Sequence, residues 1–221
     1  MNGPGRGRRV GGRGGYTLIE MAITLSLVGL ILGSLTNVLT SSGNAYEQGA
    51  ASANAQALVR RAGERLGQLL ENAGSGTLLP NPVGIACSDL VFQAATGVDP
   101  ATQAITYDNS ARLRFLYESG ELNNGLDDDG DGLVDEGSVE YTRNYLLASQ
   151  RLVVLANGVT ELLEGELLNG LDDNANGLVD EPGFSVTRVG NLLRVRISLA
   201  APVGGAAAAV ATSDTALRLK N

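Results

Sequence analysis

The sequence predicts an α+β fold. One long N-terminal α-helix, half transmembrane and half amphipathic, packs on an antiparallel β-sheet domain that carries two acidic loop insertions. Three observations predict it. An apolar run begins after Tyr16 and stays free of charge until Glu47, with Glu20 as the single exception. A helical stripe then continues to about residue 72. Beyond it, short β-branched or alternating segments are separated by turns rich in Gly, Asn and Asp.

Composition narrows the function classes. After the membrane-directed first 45 or so residues, about 150 remain, enough for one domain with its own core. The chain has no His, which excludes imidazole catalysis and His metal sites. Cys87 is its one cysteine, so no intramolecular disulfide can form. The leader 1–15 carries Arg6, Arg8, Arg9 and Arg13 and no acid, whereas the remaining twelve bases face all 24 acids. A basic flank before an apolar span predicts a cytoplasmic N-terminus and an exported C-terminal domain. An acidic exported domain argues against a nucleic-acid partner.

Taken in order, residues 1–15 form a basic Gly/Arg leader too polar for a core. Residues 16–40 read as a helix of membrane-spanning length. Within it Ser26, Gly29 and Gly33 would let another helix approach closely. The lone Glu20 is costly in lipid, and an acid in that place marks function. Residues 41–73 continue the helix, with Leu58, Ala62, Leu66, Leu69 and Leu70 on one face and Arg60, Arg61, Glu64 and Arg65 on the other. The whole helix would be about 85 Å long at its rise per residue, with Gly43 and Gly49 as places for a bend. Ala73-Gly74-Ser75-Gly76 reads as a glycine C-cap.

Residues 74–221 form the β-rich domain. After a Pro/Gly loop at 77–88, strands are expected at 89–94, 104–107, 113–117, 139–147, 152–156, 184–189 and 192–199. The Gly/Ala-rich stretch 202–211 reads as a loose excursion before a last strand at 215–219.

The strongest chemical signal lies in loop 124–136, Asn-Gly-Leu-Asp-Asp-Asp-Gly-Asp-Gly-Leu-Val-Asp-Glu, which returns 45 residues later as loop 169–181. The repeat extends outward: Gly120-Glu121-Leu122 matches Gly165-Glu166-Leu167. It reads as one loop-capped strand pair used twice. The spacing places side-chain oxygens at positions 1, 3 and 5, Gly at 6, a backbone carbonyl at 7 and acids at 9 and 10. In the first loop these are Asp127, Asp129, Asp131, the Leu133 carbonyl, Asp135 and Glu136. In the second they are Asp172, Asn174, Asn176, the Leu178 carbonyl, Asp180 and Glu181. All-oxygen ligation in a flexible loop is hard-cation chemistry and points to Ca²⁺ at two sites, as in a shortened EF-hand loop. The second loop has fewer charges and should bind more weakly. A metal bound only by the folded chain would stabilise a domain that has no disulfide. No nucleophile or base is signalled, so no enzyme activity is expected.

The stretch Gly15-Tyr16-Thr17-Leu18-Ile19-Glu20 closely resembles the class III signal of type IV prepilins and type II secretion pseudopilins. The resemblance is strong over the first 40 residues. It implies cleavage by prepilin peptidase after Gly15, N-methylation of Tyr16, and a role for Glu20 in assembly, where it neutralises a neighbour's N-terminal ammonium. Tyr16 stands where Phe is commoner. The rest of the chain is similar to J-type minor pseudopilins and W-type minor pilins in its order of elements, with segments such as Leu113-Arg114-Phe115-Leu116-Tyr117 and Leu193-Arg194-Val195-Arg196-Ile197-Ser198-Leu199. The resemblance thus implies a single-pass inner-membrane subunit with a periplasmic domain. Such a subunit joins a pilus or pseudopilus and contacts other pilin or pseudopilin subunits, the prepilin peptidase and inner-membrane lipid. The alternative reading is a calcium-dependent adhesin or binding module presented by a filament or membrane.

Overall fold

A computed structural model describes residues 15–204 and 206–220. The leader therefore lies outside the described residues, apart from Gly15. The chain divides into two compact units, 1–46 and 47–221.

Helix α1 (Leu18–Leu70) is the one helix among the described residues. Its N-terminus is set by a capping box. The Thr17 hydroxyl accepts the Glu20 N–H at 3.3 Å, and Glu20 Oε2 accepts the Thr17 N–H and hydroxyl at 2.8 and 2.9 Å. Every side chain from Leu18 to Leu39 is exposed, although an 18-residue window has mean hydropathy 2.1. This helix is long and apolar enough to cross a membrane.

In the second unit the helix buries Ala55, Val59, Ala62, Leu66 and Leu70, a stripe at three- and four-residue spacing. Its axis is rotated from the expected stripe: Leu58 is exposed, and Ala55 and Val59 are buried in its stead. Strand β9 decides this. A Cβ on Gly63 would stand 2.5 Å from Ser213 Oγ, so the strand approaches where the helix has no side chain. The helix does not end on a left-handed glycine. Neither Gly74 nor Gly76 has positive φ, and the Gly74 N–H donates to the Gln93 carbonyl at 3.0 Å. Gly74 is there because the Tyr107 ring lies against it, with room for no Cβ.

The strands are β1 (Asp89–Phe92), β2 (Ala95–Val98), β3 (Ile105–Tyr107), β4 (Ala111–Tyr117), β5 (Gly137–Arg143), β6 (Arg151–Val159), β7 (Phe184–Val189), β8 (Leu192–Val203) and β9 (Ala206–Arg218). β2 and β3 form a separate hairpin. The main sheet is antiparallel, in the order β1-β4-β5-β6-β8-β7, with β9 also on β8. β9 pairs one edge of β8 along its length, while β7 pairs the other edge at residues 192–197 and β6 meets it through Val159↔Leu199. The helix stripe closes over Leu90, Phe92, Leu113, Val139, Val159, Phe184, Val186, Leu193, Val195, Ile197 and Leu199. Burying each larger aliphatic or aromatic side chain contributes about 1.5–3 kcal/mol.

Three expectations about the strands fail. The strand expected at 139–147 ends at Arg143, because the chain turns there, with Asn144 and Leu146 at positive φ. The described residues of 202–211 are not loose, because the β8–β9 ladder runs through Ala201↔Ala209 to Val203↔Ala206. Alanine disfavours strands by propensity, but pairing and the burial of Ala201 and Ala211 override it. The loop-capped strand pair is also not used twice. β4 and β5 pair directly around the first loop, whereas β6 and β7 flank the second loop and both pair with β8, joined otherwise by the single bridge Leu162↔Pro182.

Candidate functional site

The first loop winds on its own side chains. Asp127 Oδ1 accepts the Gly130 N–H at 2.6 Å and Oδ2 the Gly132 N–H at 3.0 Å. Asp129 Oδ1 accepts the Asp131 N–H at 3.0 Å, and Asp131 Oδ1 the Leu133 N–H at 2.9 Å. These local bonds turn the carboxylates inward, so that oxygens of Asp127, Asp129 and Asp131 lie within 4.8 Å of one another. Gly132 has φ +94°, and the matching Gly177 has φ +91°, the sharp turn that the spacing calls for. The Leu133 side chain is buried.

A second group lies beneath. Oxygens of Glu121, Asp129 and Glu136 also fall within 4.8 Å of one another. Glu121 Oε1 accepts the N–H groups of Asp128 and Asp129 at 3.0 Å, and Oε2 that of Asp135 at 3.2 Å. Glu136 is 1% exposed, and neither of its oxygens has a hydrogen-bond partner. Burial, with the charges of Glu121, Asp131 and Asp129 adding to it, pushes its pKa up to about 7. A buried carboxylate without partners is strongly unfavourable unless a cation joins it. The donor set is oxygen throughout, so these residues fit a hard divalent cation such as Ca²⁺.

Asp135 has another task. Its two oxygens accept the N–H groups of Asn124 and Gly125 at 2.9 and 2.7 Å and so clamp the loop entrance. Asp180 does the same in the second loop, with the N–H groups of Asn169 and Gly170 at 3.1 and 3.0 Å. Position 9 thus holds the backbone in both repeats.

The second loop repeats the winding. Asp172 accepts the N–H groups of Asn176 and Gly177 at 3.0 and 2.8 Å, Asn174 Oδ1 that of Asn176 at 3.1 Å, and Asn176 Oδ1 that of Leu178 at 3.0 Å. Its floor differs. Glu181 is fully buried, with Oε1 accepting from Arg196 Nη1 at 2.6 Å and Oε2 from Asn176 Nδ2 at 3.1 Å. Arg196 also reaches Asp214 at 3.3 Å, and Arg194 binds that same carboxylate through Nε at 2.8 Å. Glu166 Oε1 accepts the Asn174 N–H at 3.3 Å, while its Oε2 is buried without a partner.

Three site residues escaped the sequence reading. Glu121 and its match Glu166 belong to the floors of the two loops, and the signal for them was the repeat itself, which runs back to Gly120-Glu121-Leu122 and Gly165-Glu166-Leu167. Arg196 had only its alternation in β8, which puts it on the face opposite Val195 and Ile197. At the N-terminus, Gly15 has open space around it and Tyr16 is 86% exposed. Cys87 is half-buried with its pKa pushed up to about 11 by burial and Asp89, so the thiol stays protonated.

Compared with known protein families, with curated proteins and with solved structures, the chain matches none.

Proposed function

We propose that the chain is a minor pilin or pseudopilin: a structural subunit that prepilin peptidase cuts after Gly15 and that assembles through α1 into a type IV pilus or type II secretion pseudopilus. One observation carries this reading. The Gly15-Tyr16-Thr17-Leu18-Ile19-Glu20 signal opens directly into a helix whose first 22 residues are predominantly apolar, with Glu20 as the one charge, yet every one exposed, and whose later turns enter a folded domain. Such a face requires lipid or neighbouring helices around it.

Glu20 sharpens the assembly argument and amends it. The acid is not without a partner in its own chain, because Thr17 donates two hydrogen bonds to it. Those donors are neutral, however. They fix the carboxylate but leave its charge, which a neighbour's N-terminal ammonium at Tyr16 would neutralise. On the exported side the acidic loops are where Ca²⁺ would stabilise the β domain by linkage.

Mass spectrometry of the chain's N-terminus in cells that hold a prepilin peptidase tests the reading. We expect a species beginning at methylated Tyr16, and its loss, together with loss from sheared filaments, in Gly15→Val. A Gly15→Val chain that reaches filaments uncut would sink the proposal. Glu20→Ala should be cut normally but incorporated poorly.

A further inference from the structure

The two loops share sequence and backbone winding, yet their floors are neutralised differently. In the first, Glu136 is buried and unpartnered at both oxygens, and it faces Glu121 and Asp129. Nothing cationic among the described residues pairs with any of the three. In the second, the matching Glu181 holds a guanidinium at 2.6 Å, itself 5% exposed at the side chain. Asn176, where the first loop has Asp131, turns its amide onto the same carboxylate at 3.1 Å. One loop therefore concentrates five carboxylates with no cation, from Glu121, Asp127, Asp129, Asp131 and Glu136. The other holds three at the matching places, from Glu166, Asp172 and Glu181, with a resident cation on the last.

Resting on the calcium reading of the loops, we propose that the repeats have divided their roles. The first loop takes the divalent cation, closed from beneath by Glu136. In the second, the Arg196 guanidinium does that cation's work at Glu181, so the loop stays closed without metal. The chemistry favours this split. Burial strengthens the attraction between ions, and a guanidinium held by Glu181 and Asp214 is fixed in place, where it repels an incoming divalent ion. Asn at positions 3 and 5 further lowers the negative charge that such an ion would need. The one orphan oxygen of the second loop, Glu166 Oε2, sits on a carboxylate already engaged through Oε1, whereas Glu136 has no partner at all.

The test is calcium titration of the detergent-solubilised full chain by calorimetry, with hydrogen–deuterium exchange read in calcium and in EGTA. We expect one tight site. EGTA should raise exchange across 121–136 at least tenfold and change 166–181 by less than twofold. Glu136→Gln should abolish the calcium heat, and Glu181→Gln should leave one site. Arg196→Met should make exchange across 166–181 depend on calcium; Glu181→Gln keeps the test open if that chain does not fold. Two sites of equal affinity, or a site lost in Glu181→Gln, would overturn the division while leaving the calcium reading intact. Absence of any calcium heat would overturn both, and neither result bears on processing at Gly15.

Discussion

The two acidic loops are a comparison made within one chain. Ten of thirteen positions repeat at an offset of 45, and the local bonds repeat with them: position 1 caps the turn, position 5 reaches position 7, and position 9 clamps the entrance. Local sequence therefore determines how the loop winds. It does not determine how the charge at position 10 is met. Glu136 leads into β5 with no base beneath it, whereas Glu181 leads into β7, and the neighbouring β8 brings Arg196 under it. The same motif leaves its last acid unpartnered or neutralises it within the chain according to which strand lies next to it.

Substitutions can break this comparison, and removing the resident cation should have the largest effect. Arg196→Met leaves Glu181 buried and unpaired, and we expect it to destabilise the folded chain by about 3–5 kcal/mol in denaturant unfolding. An effect below about 1 kcal/mol would show that the pair is not what holds the second loop. Next in size is metal removal from the wild-type chain. At calcium about a hundredfold above its dissociation constant, chelation should lower stability by about 2.7 kcal/mol, read as a fall in Tm.

Glu136→Gln should act with the opposite sign to any loss at Arg196. In chelator it removes a buried, unpartnered charge and should raise stability by about 1–3 kcal/mol; in calcium it should forfeit the metal's contribution. Acidification tests the same point. The folded pKa of Glu136, about 7, lies above the ordinary value of 4.5, so the folded state binds the proton more tightly. Stability of the metal-free chain should rise as pH falls through 7 and level off below about 4.5. No His competes in that window, and Glu121, Asp129 and Asp131 are the acids acting on the group. Burial raises the pKa of Glu181 as well, so part of the rise belongs to that acid; a flat Tm between pH 8 and 6, or a rise undiminished in Glu136→Gln, would remove Glu136 from the account.

The smallest effect tests what the loops share. Asp135→Ala and Asp180→Ala each free a pair of entrance N–H groups, and each should cost about 1–2 kcal/mol in thermal unfolding, with or without calcium. Unequal losses would mean that the clamps are not equivalent.

The sequence by itself determined the elements whose causes are local. The apolar run that opens after Tyr16 specifies where α1 begins. Alternation places β7 and β8, and the Asp, Asn and Gly spacing specifies how the two loops turn. These were legible because each rests on contacts within a few residues. Tertiary structure alone decided the rest. It rotated the helix stripe toward Gly63 to admit β9, drew the Ala-rich stretch 202–211 into a hairpin, and set β8 between strands that looked like partners. It also placed Arg196 beneath one acid and no base beneath its twin. The physical reason is common to all four. Close packing and the pairing of buried charge depend on residues far apart in sequence, and a repeat carries its local bonds with it but not its neighbours.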